Sequence, residues 1–172
     1  RKRFVAFHPR WGTENSGPKA AQKESFAGRA AVICDREDSE QDALALVENI
    51  AKNLEMHLIY MNADAHDVHT AYISHISHIT SYALANTVLE KEREEDTIFQ
   101  LASSGFSSTV RLAKSHPEMW VPIFKQNKEN VLDVLNEHIT QLRKFKSALE
   151  KENFELLEEL IKNANKIRGI LK

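Results

Sequence analysis

The sequence predicts a mainly α-helical protein whose first third is a mixed α/β segment. Three observations predict this fold class. Short apolar, β-branched runs are concentrated before residue 63, glycine and proline become rare after it, and the last third carries long amphipathic patterns. We therefore divide the chain into an α/β segment, residues 1–62, and an all-helical segment, residues 63–172.

The α/β segment is predicted to run strand, loop, strand, helix, strand. "RFVAFHP" and "RAAVICD" are apolar runs that end in turn or acidic residues, as buried strands do. Residues 39–53 repeat apolar side chains at helical spacing, and "MHLIYM" predicts the third strand. No pair among the five glycines has the spacing of a glycine-rich phosphate-binding turn. We therefore expect the chain to begin partway through a larger dinucleotide-binding domain.

The helical segment carries two long amphipathic patterns. "SHPEMW" predicts a helix start, because Ser115 and Glu118 have capping-box spacing and Pro117 lies in the first turn. Helices this long and one-sided need partners, and an intertwined homodimer supplies them most economically. The apolar stripe comprises Val131, Leu135, Ile139, Leu142, Phe145 and Leu149, followed by Phe154, Leu157, Leu160, Ile161, Ala164 and Ile167.

Composition excludes several classes of protein. A net charge of -2 argues against a nucleic-acid binder, and no apolar run approaches the length of a membrane span. The basic residues Arg1, Lys2 and Arg3 are followed by too short an apolar run for a signal peptide. The single cysteine, Cys34, is expected to be a buried structural thiol, which favours a reducing compartment, the cytoplasm.

Four histidines in "DAHDVHTAYISHISHI" raise the question of a metal site. On an ideal helical wheel His69 falls at about 300°, His75 at about 180° and His78 at about 120° from His66. His66 and His69 thus point away from His75 and His78, so one ion cannot bind all four. We expect no metal.

The same wheel divides this helix into a small, polar face and an apolar face. The polar face either lines a pocket or packs closely on another helix with His78 hydrogen-bonded internally. The polar face holds Asp67, Ala71, Ser74, His78, Ser81 and Ala85, and the apolar face holds Tyr72, Ile73, Ile76, Ile79 and Tyr82.

Two further segments contain candidate functional residues. "HPRWGTENSG", residues 8–17, combines turn residues with ionisable groups, as either a surface loop or a site would. Arg111 either binds a carboxylate through its planar fork or forms an ordinary surface ion pair. Met119 and Trp120 are expected to be core residues.

Three blocks together resemble one enzyme family. "HPRWGTENSGP", "DAHDVHTAYISHISHI" and "STVRLAKSHPEMWVPIFKQNKENVL" resemble, in order and spacing, prephenate dehydrogenase. The resemblance implies the closing strands and helix of a Rossmann-like domain followed by an all-helical domain that dimerises by interlocking helices. It implies oxidative decarboxylation of prephenate to 4-hydroxyphenylpyruvate. NAD or NADP would be bound mainly by residues that precede this chain.

The resemblance also implies roles for individual residues. His8 matches the catalytic histidine that accepts the proton of the substrate hydroxyl, and Arg111 matches the arginine that binds a carboxylate. The helix that lines the substrate pocket contributes Ser74, His75 and His78. The loop that closes on the ligand contributes Thr13 and Glu14.

The chain departs from the family pattern in three places. Ser77 stands where relatives commonly have proline, Trp11 replaces a small residue, and "ASSGFSS" has one glycine where relatives often have several. Alternative functions are arogenate dehydrogenase, whose substrate carries an amino group in place of the keto group, or, for these residues alone, an inactive helical dimerisation module.

Overall fold

The computed structural model describes residues 3–13, 15, 17–95 and 97–171, without the side chains of residues 94 and 95. One sheet with strand order β1-β2-β3 forms its α/β part. β1 pairs antiparallel with β2, and β2 pairs parallel with β3. The predicted order of strands and helix is confirmed by β1 (Ala6–Pro9), β2 (Ala30–Cys34), α1 (Gln41–Asn53) and β3 (His57–Met61).

Helices make up most of the remaining described chain, which confirms the mainly α-helical prediction. In the part of the chain that the structure describes, none of them is long and apolar enough to cross a membrane. The helices are α2 (Ala63–Thr70), a π-helical turn (Ala71–His75), α3 (Ile76–Glu95), α4 (Ser104–Thr109), α5 (Pro117–Gln126), α6 (Lys128–Glu150) and α7 (Phe154–Asn165). Short 3-10 turns occupy Pro18–Ala20, Arg36–Asp38, Ile98–Leu101, Arg111–Lys114 and Lys166–Gly169.

The chain divides into two compact units, one up to Val131 and one from Leu132 onward. The second unit holds most of α6 and all of α7. Several of its apolar side chains are exposed, among them Leu142, Leu149 and Phe154. The boundary predicted after residue 62 is a different division from this one and stays a prediction.

The central strand forms the core of the first unit. All of β2 except Ala30 is buried, including Cys34 as expected, because α1 and neighbouring side chains cover the strand. Ala31 packs with Ala51 and Met56, with Phe7, Phe26 and Leu58 at the edge of the cluster.

Two polar side chains fix where α2 begins. Asp35, directly after β2, accepts the backbone N–H of Ala63 at 2.9 Å. Asn62, directly after β3, caps the helix by accepting the N–H of Ala65 at 2.7 Å. Both parallel strands therefore end at the start of α2, which sets the direction in which His66 and the π-helical turn leave the sheet.

The π-helical turn interrupts the regular α-helix that the helical wheel assumes. The N–H of Ile76 donates to the carbonyl of Ala71, five residues back, so the residues that follow are rotated relative to an α-helix. His66 bonds to His8, whose ring lines the same cavity as His75 and His78. The expectation that His66 faces away from that pair is wrong, whereas His69 is exposed.

Two local predictions are also wrong. The residue that precedes the first turn of α5 is His116, not Ser115, and no side chain caps this helix, although Pro117 does begin it. "ASSGFSST", expected to be a loop, contains α4. The hydroxyls of Ser108 and Thr109 both donate to the Gly105 carbonyl at 2.9 Å, a local bonding pattern that composition does not reveal.

Ser81 joins α3 to the segment that carries Arg111. Its hydroxyl donates to the Thr109 carbonyl at 3.1 Å and accepts the Ala113 N–H at 3.0 Å, and the residue is 1% exposed. At Ser81, the polar face of α3 therefore packs closely against the segment that carries Arg111.

Ser81→Ala should lower the free energy of unfolding by about 1–3 kcal/mol, because the Thr109 carbonyl and the Ala113 N–H both lose a buried hydrogen bond to the Ser81 hydroxyl, although the N–H keeps its bond to the Val110 carbonyl. Urea unfolding of the chain measures this. Thr87→Ala is the control, because its exposed hydroxyl bonds only to a carbonyl of its own helix. Equal stability of the two variants would contradict the role of the Ser81 hydroxyl in joining α3 to the segment that carries Arg111.

Candidate functional site

A cavity of about 650 Å³ lies within the first unit. Its walls come from the loop after β1, the π-helical turn and start of α3, the segment that carries Arg111, and α5. Six of the seven residues singled out from the sequence line it; Glu14 lies outside the described residues. The six are His8, Thr13, Ser74, His75, His78 and Arg111.

His8 enters the cavity from the end of β1. Its Nδ1 lies 2.8 Å from Nε2 of His66, and Nδ1 of His66 lies 2.9 Å from a carboxylate oxygen of Asp67. Burial, followed by the charges of Arg10, His66 and His75, lowers the pKa of His8 from 6.5 to about 4. His8 is therefore neutral near pH 7 and able to accept a proton.

His75 is held by an amide from the junction of α5 and α6. Nδ2 of Asn127 lies 3.2 Å from Nδ1 of His75 and also donates to the Asp67 carbonyl at 2.7 Å. Because an amide nitrogen only donates, Nδ1 of His75 is the acceptor, and the ring proton of the neutral form is on Nε2. His75 can therefore donate a hydrogen bond from Nε2.

His78 is held within its own helix and by Trp120. Its Nδ1 donates to the Ser74 carbonyl at 3.0 Å, and its ring stacks on the indole of Trp120 with centroids 3.4 Å apart. Burial lowers its pKa against the opposing effect of the Ser74 carbonyl. Both possibilities raised for this helix face therefore occur: His78 bonds internally and also lines a polar cavity.

Two arginines give the cavity a positive character. Arg10 and Arg111 both belong to its lining, and the described lining residues include no carboxylate. Arg10 is partly buried, and this burial lowers its pKa. Two guanidinium groups and neutral histidines suit an anionic ligand that also carries a hydroxyl.

The loop after β1 is held by aromatic packing and a local turn. Trp11, which the sequence did not explain, packs edge-on against Phe26 with centroids 5.9 Å apart and lines the cavity. The Thr13 hydroxyl accepts the N–H of Asn15 at 3.2 Å.

Several residues of the site were missed or misassigned from the sequence. Arg10 was within the first block without a role, and Asn127 was within "NKENV" without one; only a three-dimensional contact identifies Asn127. Trp120 is buried as expected but also forms a cavity wall. The core prediction for Met119 is wrong, because its side chain is 48% exposed and lines the cavity.

No group of three or more histidine, cysteine, aspartate or glutamate side chains is arranged to hold a metal ion among the described residues. The absence of a metal from the reaction stays a prediction.

The buried histidines make stability depend on pH. Burial lowers the folded-state pKa of His75 and of His78 below the ordinary 6.5. The unfolded chain then takes up protons at a higher pH than the folded chain, so stability is full above about pH 6.5 and falls below it.

We expect the midpoint of urea unfolding to decrease when the pH is lowered from 7.5 to 5.5. The decrease should be smaller in His75→Asn. Replacing the exposed His57, which does not line the cavity, by asparagine is the control for the loss of one histidine. A midpoint that rises on acidification would contradict the burial argument.

The chain matches two domain descriptions of one family. Residues 1–60 match "Prephenate dehydrogenase, nucleotide-binding domain", and residues 62–163 match "Prephenate dehydrogenase, dimerization domain". The chain is 30% identical over 168 residues to prephenate dehydrogenase of Bacillus subtilis (strain 168), and 30% identical over 170 residues to cyclohexadienyl dehydrogenase of Zymomonas mobilis. Each alignment covers 98% of this chain.

A solved structure has a similar fold. It is prephenate dehydrogenase from Aquifex aeolicus in complex with hydroxyphenyl propionate and NAD+, with a TM-score of 0.88 and 29% identity. The match covers 98% of this chain and 59% of that chain. The chain spans about half the length of the curated relatives it matches, 45% of the first and 58% of the second.

Proposed function

Because the chain belongs to the prephenate dehydrogenase family, we propose that its cavity binds prephenate. The full-length protein then oxidises and decarboxylates prephenate to 4-hydroxyphenylpyruvate, with a nicotinamide cofactor as hydride acceptor. One observation carries the proposal: a neutral, partly buried His8 lines the same cavity as Arg10 and Arg111.

The substrate's charges fit this lining. Prephenate carries two carboxylates and a ring hydroxyl. Arg111 binds one carboxylate as a bidentate fork, and Arg10 supplies a second positive charge. Ser74, His75 and His78 line the ring, and the loop with Thr13 and Glu14 closes over it.

His8 performs the proton transfer. It takes the hydroxyl proton as the hydroxyl-bearing carbon loses hydride and becomes a carbonyl carbon. The bond between the ring and its carboxylate then breaks and carbon dioxide leaves. The electron pair of that bond stays with the ring, which becomes an aromatic phenolate. His8 returns the proton to the resulting phenolate oxygen. A nicotinamide cofactor, when bound, accepts the hydride and is reduced.

The residues of this chain fit only part of such a cofactor. His8 lies near the end of β1, which runs antiparallel to β2, and lines the cavity that a nicotinamide must reach to accept the hydride. The five glycines provide no G-x-G-x-x-G turn, the usual cradle for a pyrophosphate. The pyrophosphate of NAD or NADP is therefore bound mainly by residues outside this chain.

A homodimer follows from the same proposal. Residues 62–163 match a dimerization domain, and α6 and α7 leave apolar side chains exposed, including Leu149, Phe154 and Ile161. A second copy would cover them. The expected location stays the cytoplasm, on the cysteine argument alone.

Steady-state rates of the full-length protein with prephenate and with arogenate, each with NAD and with NADP, test the proposal. Oxidation of prephenate with release of carbon dioxide is the expected result. A preference for arogenate would support the alternative substrate, and no turnover of either would refute the proposal. The chain of 172 residues alone is expected to be inactive, and tight NAD binding to it in a calorimetric titration would refute that expectation.

A further inference from the structure

Behind His8 lies a short series of hydrogen-bonded side chains. The two imidazoles meet edge to face, with Nδ1 of His8 2.8 Å from Nε2 of His66. The other nitrogen of His66 lies 2.9 Å from Asp67. The His66 side chain is 18% exposed, so this contact is largely shielded from water. With Nδ1 engaged, Nε2 is the His8 nitrogen left to meet a ligand in the cavity.

The chemistry of the three groups determines where the protons lie. An ionised carboxylate only accepts, so Nδ1 of His66 carries a proton and donates to Asp67. In neutral His66 the other nitrogen, Nε2, then holds a lone pair and accepts the proton on Nδ1 of His8. Neutral His8 with its proton on Nδ1 has its lone pair on Nε2.

The positive charge of nearby Arg10 disfavours the opposite arrangement, in which His66 donates its proton to His8. If His66 were a cation, it would donate to Nδ1 of His8 and leave the His8 proton on Nε2, where it blocks base catalysis. That cation would lie against the half-buried His8 ring, and Arg10 borders the same apolar hollow as His66. The Asp67 side chain, 53% exposed, compensates such a charge only weakly because water screens it.

The end of α2 holds Asp67 in place. The Asp67 carbonyl accepts both the Asn127 amide at 2.7 Å and the Thr70 hydroxyl at 3.1 Å. The backbone that carries Asp67 is therefore anchored to the start of α6, independently of the carboxylate.

We propose that His66 and Asp67 are positioning residues that hold His8 as the tautomer protonated on Nδ1, so that Nε2 accepts the hydroxyl proton of the substrate. The proposal rests on the function proposed above, in which His8 is the base. Its first test, however, measures the tautomer and needs no activity.

The first experiment is ¹⁵N NMR of the chain with labelled histidine at pH 7, because ring-nitrogen shifts distinguish protonated from unprotonated nitrogens. We expect both His8 and His66 to be protonated on Nδ1. In Asp67→Asn the amide can rotate and donate to His66, which reverses the series and populates His8 protonated on Nε2. Asp64 is an exposed acid of the same helix, so Asp64→Asn is the control and should leave the tautomers of His8 and His66 unchanged.

The second experiment measures steady-state kinetics of the full-length protein. Asp67→Asn and His66→Phe should each lower kcat about tenfold to a hundredfold while the KM for prephenate changes by less than about threefold. Phenylalanine keeps the aromatic packing against His8 and removes both the acceptor for His8 and the donor to Asp67. His69→Phe is the matched control, because His69 is exposed on the same helix, and its kcat should stay at the wild-type value.

Three results would overturn the proposal. They are a wild-type His8 protonated on Nε2, an unchanged His8 tautomer in Asp67→Asn, and wild-type kcat in both variants while His8→Asn is inactive. Full activity of His8→Asn is a different result: it refutes His8 as the base, and with it the proposed function.

Discussion

Replacing His8 by asparagine is expected to lower kcat of the full-length protein by about 10²–10⁴-fold, the usual contribution of a general base. Asparagine can still donate a hydrogen bond to His66, but it has no basic nitrogen to take the hydroxyl proton. The KM for prephenate should change little, because the arginines still bind the carboxylates. Steady-state kinetics together with equilibrium binding of prephenate measure both quantities.

His57→Asn is the control for this substitution. His57 is an exposed residue of β3 and does not line the cavity, so its removal should leave kcat unchanged. Wild-type turnover in His8→Asn would contradict the proposed role of His8. Loss of prephenate binding along with turnover would instead assign His8 to binding.

Replacing Arg111 by alanine is expected to raise the KM for prephenate about tenfold to a hundredfold. A hydrogen bond to a charged group is worth about 1.5–3 kcal/mol, and each 1.4 kcal/mol is a factor of ten in affinity. The KM of Arg111→Lys should lie between those of the wild type and Arg111→Ala, because an ammonium keeps the charge but loses the bidentate fork. KM and kcat are measured over a range of prephenate concentrations.

Lys114→Ala is the matched control for Arg111. Lys114 belongs to the same 3-10 turn, is exposed and does not line the cavity. Its KM should stay at the wild-type value. An equal rise in KM for both variants would indicate a general loss of positive potential and contradict specific binding by Arg111.

The elements of the fold could be predicted because local periodicity determines them. "RAAVICD" is apolar throughout, and β2 is buried, as a central strand should be. The amphipathic stripe after residue 127 likewise predicts α6. In both cases the pattern of apolar residues contains the signal, and distant contacts are not needed to interpret it.

The details of the site could not be predicted in the same way. The π-helical turn at Ala71–His75 changes the direction of His75 and His78, and no residue type marks such a turn in a sequence. Asn127 meets His75 across 52 residues of chain, and His66 meets His8 across 58. Such contacts depend on tertiary packing, so a wheel drawn from one helix misplaced His66.

The most direct test of the proposed substrate site is a ¹⁵N-histidine NMR titration of this chain with hydroxyphenyl propionate, the ligand of the Aquifex aeolicus relative. The ring resonances of His8, His75 and His78 should shift together and saturate, while that of the exposed His57 stays in place. Saturable binding that shifts none of the three cavity histidines would contradict the site.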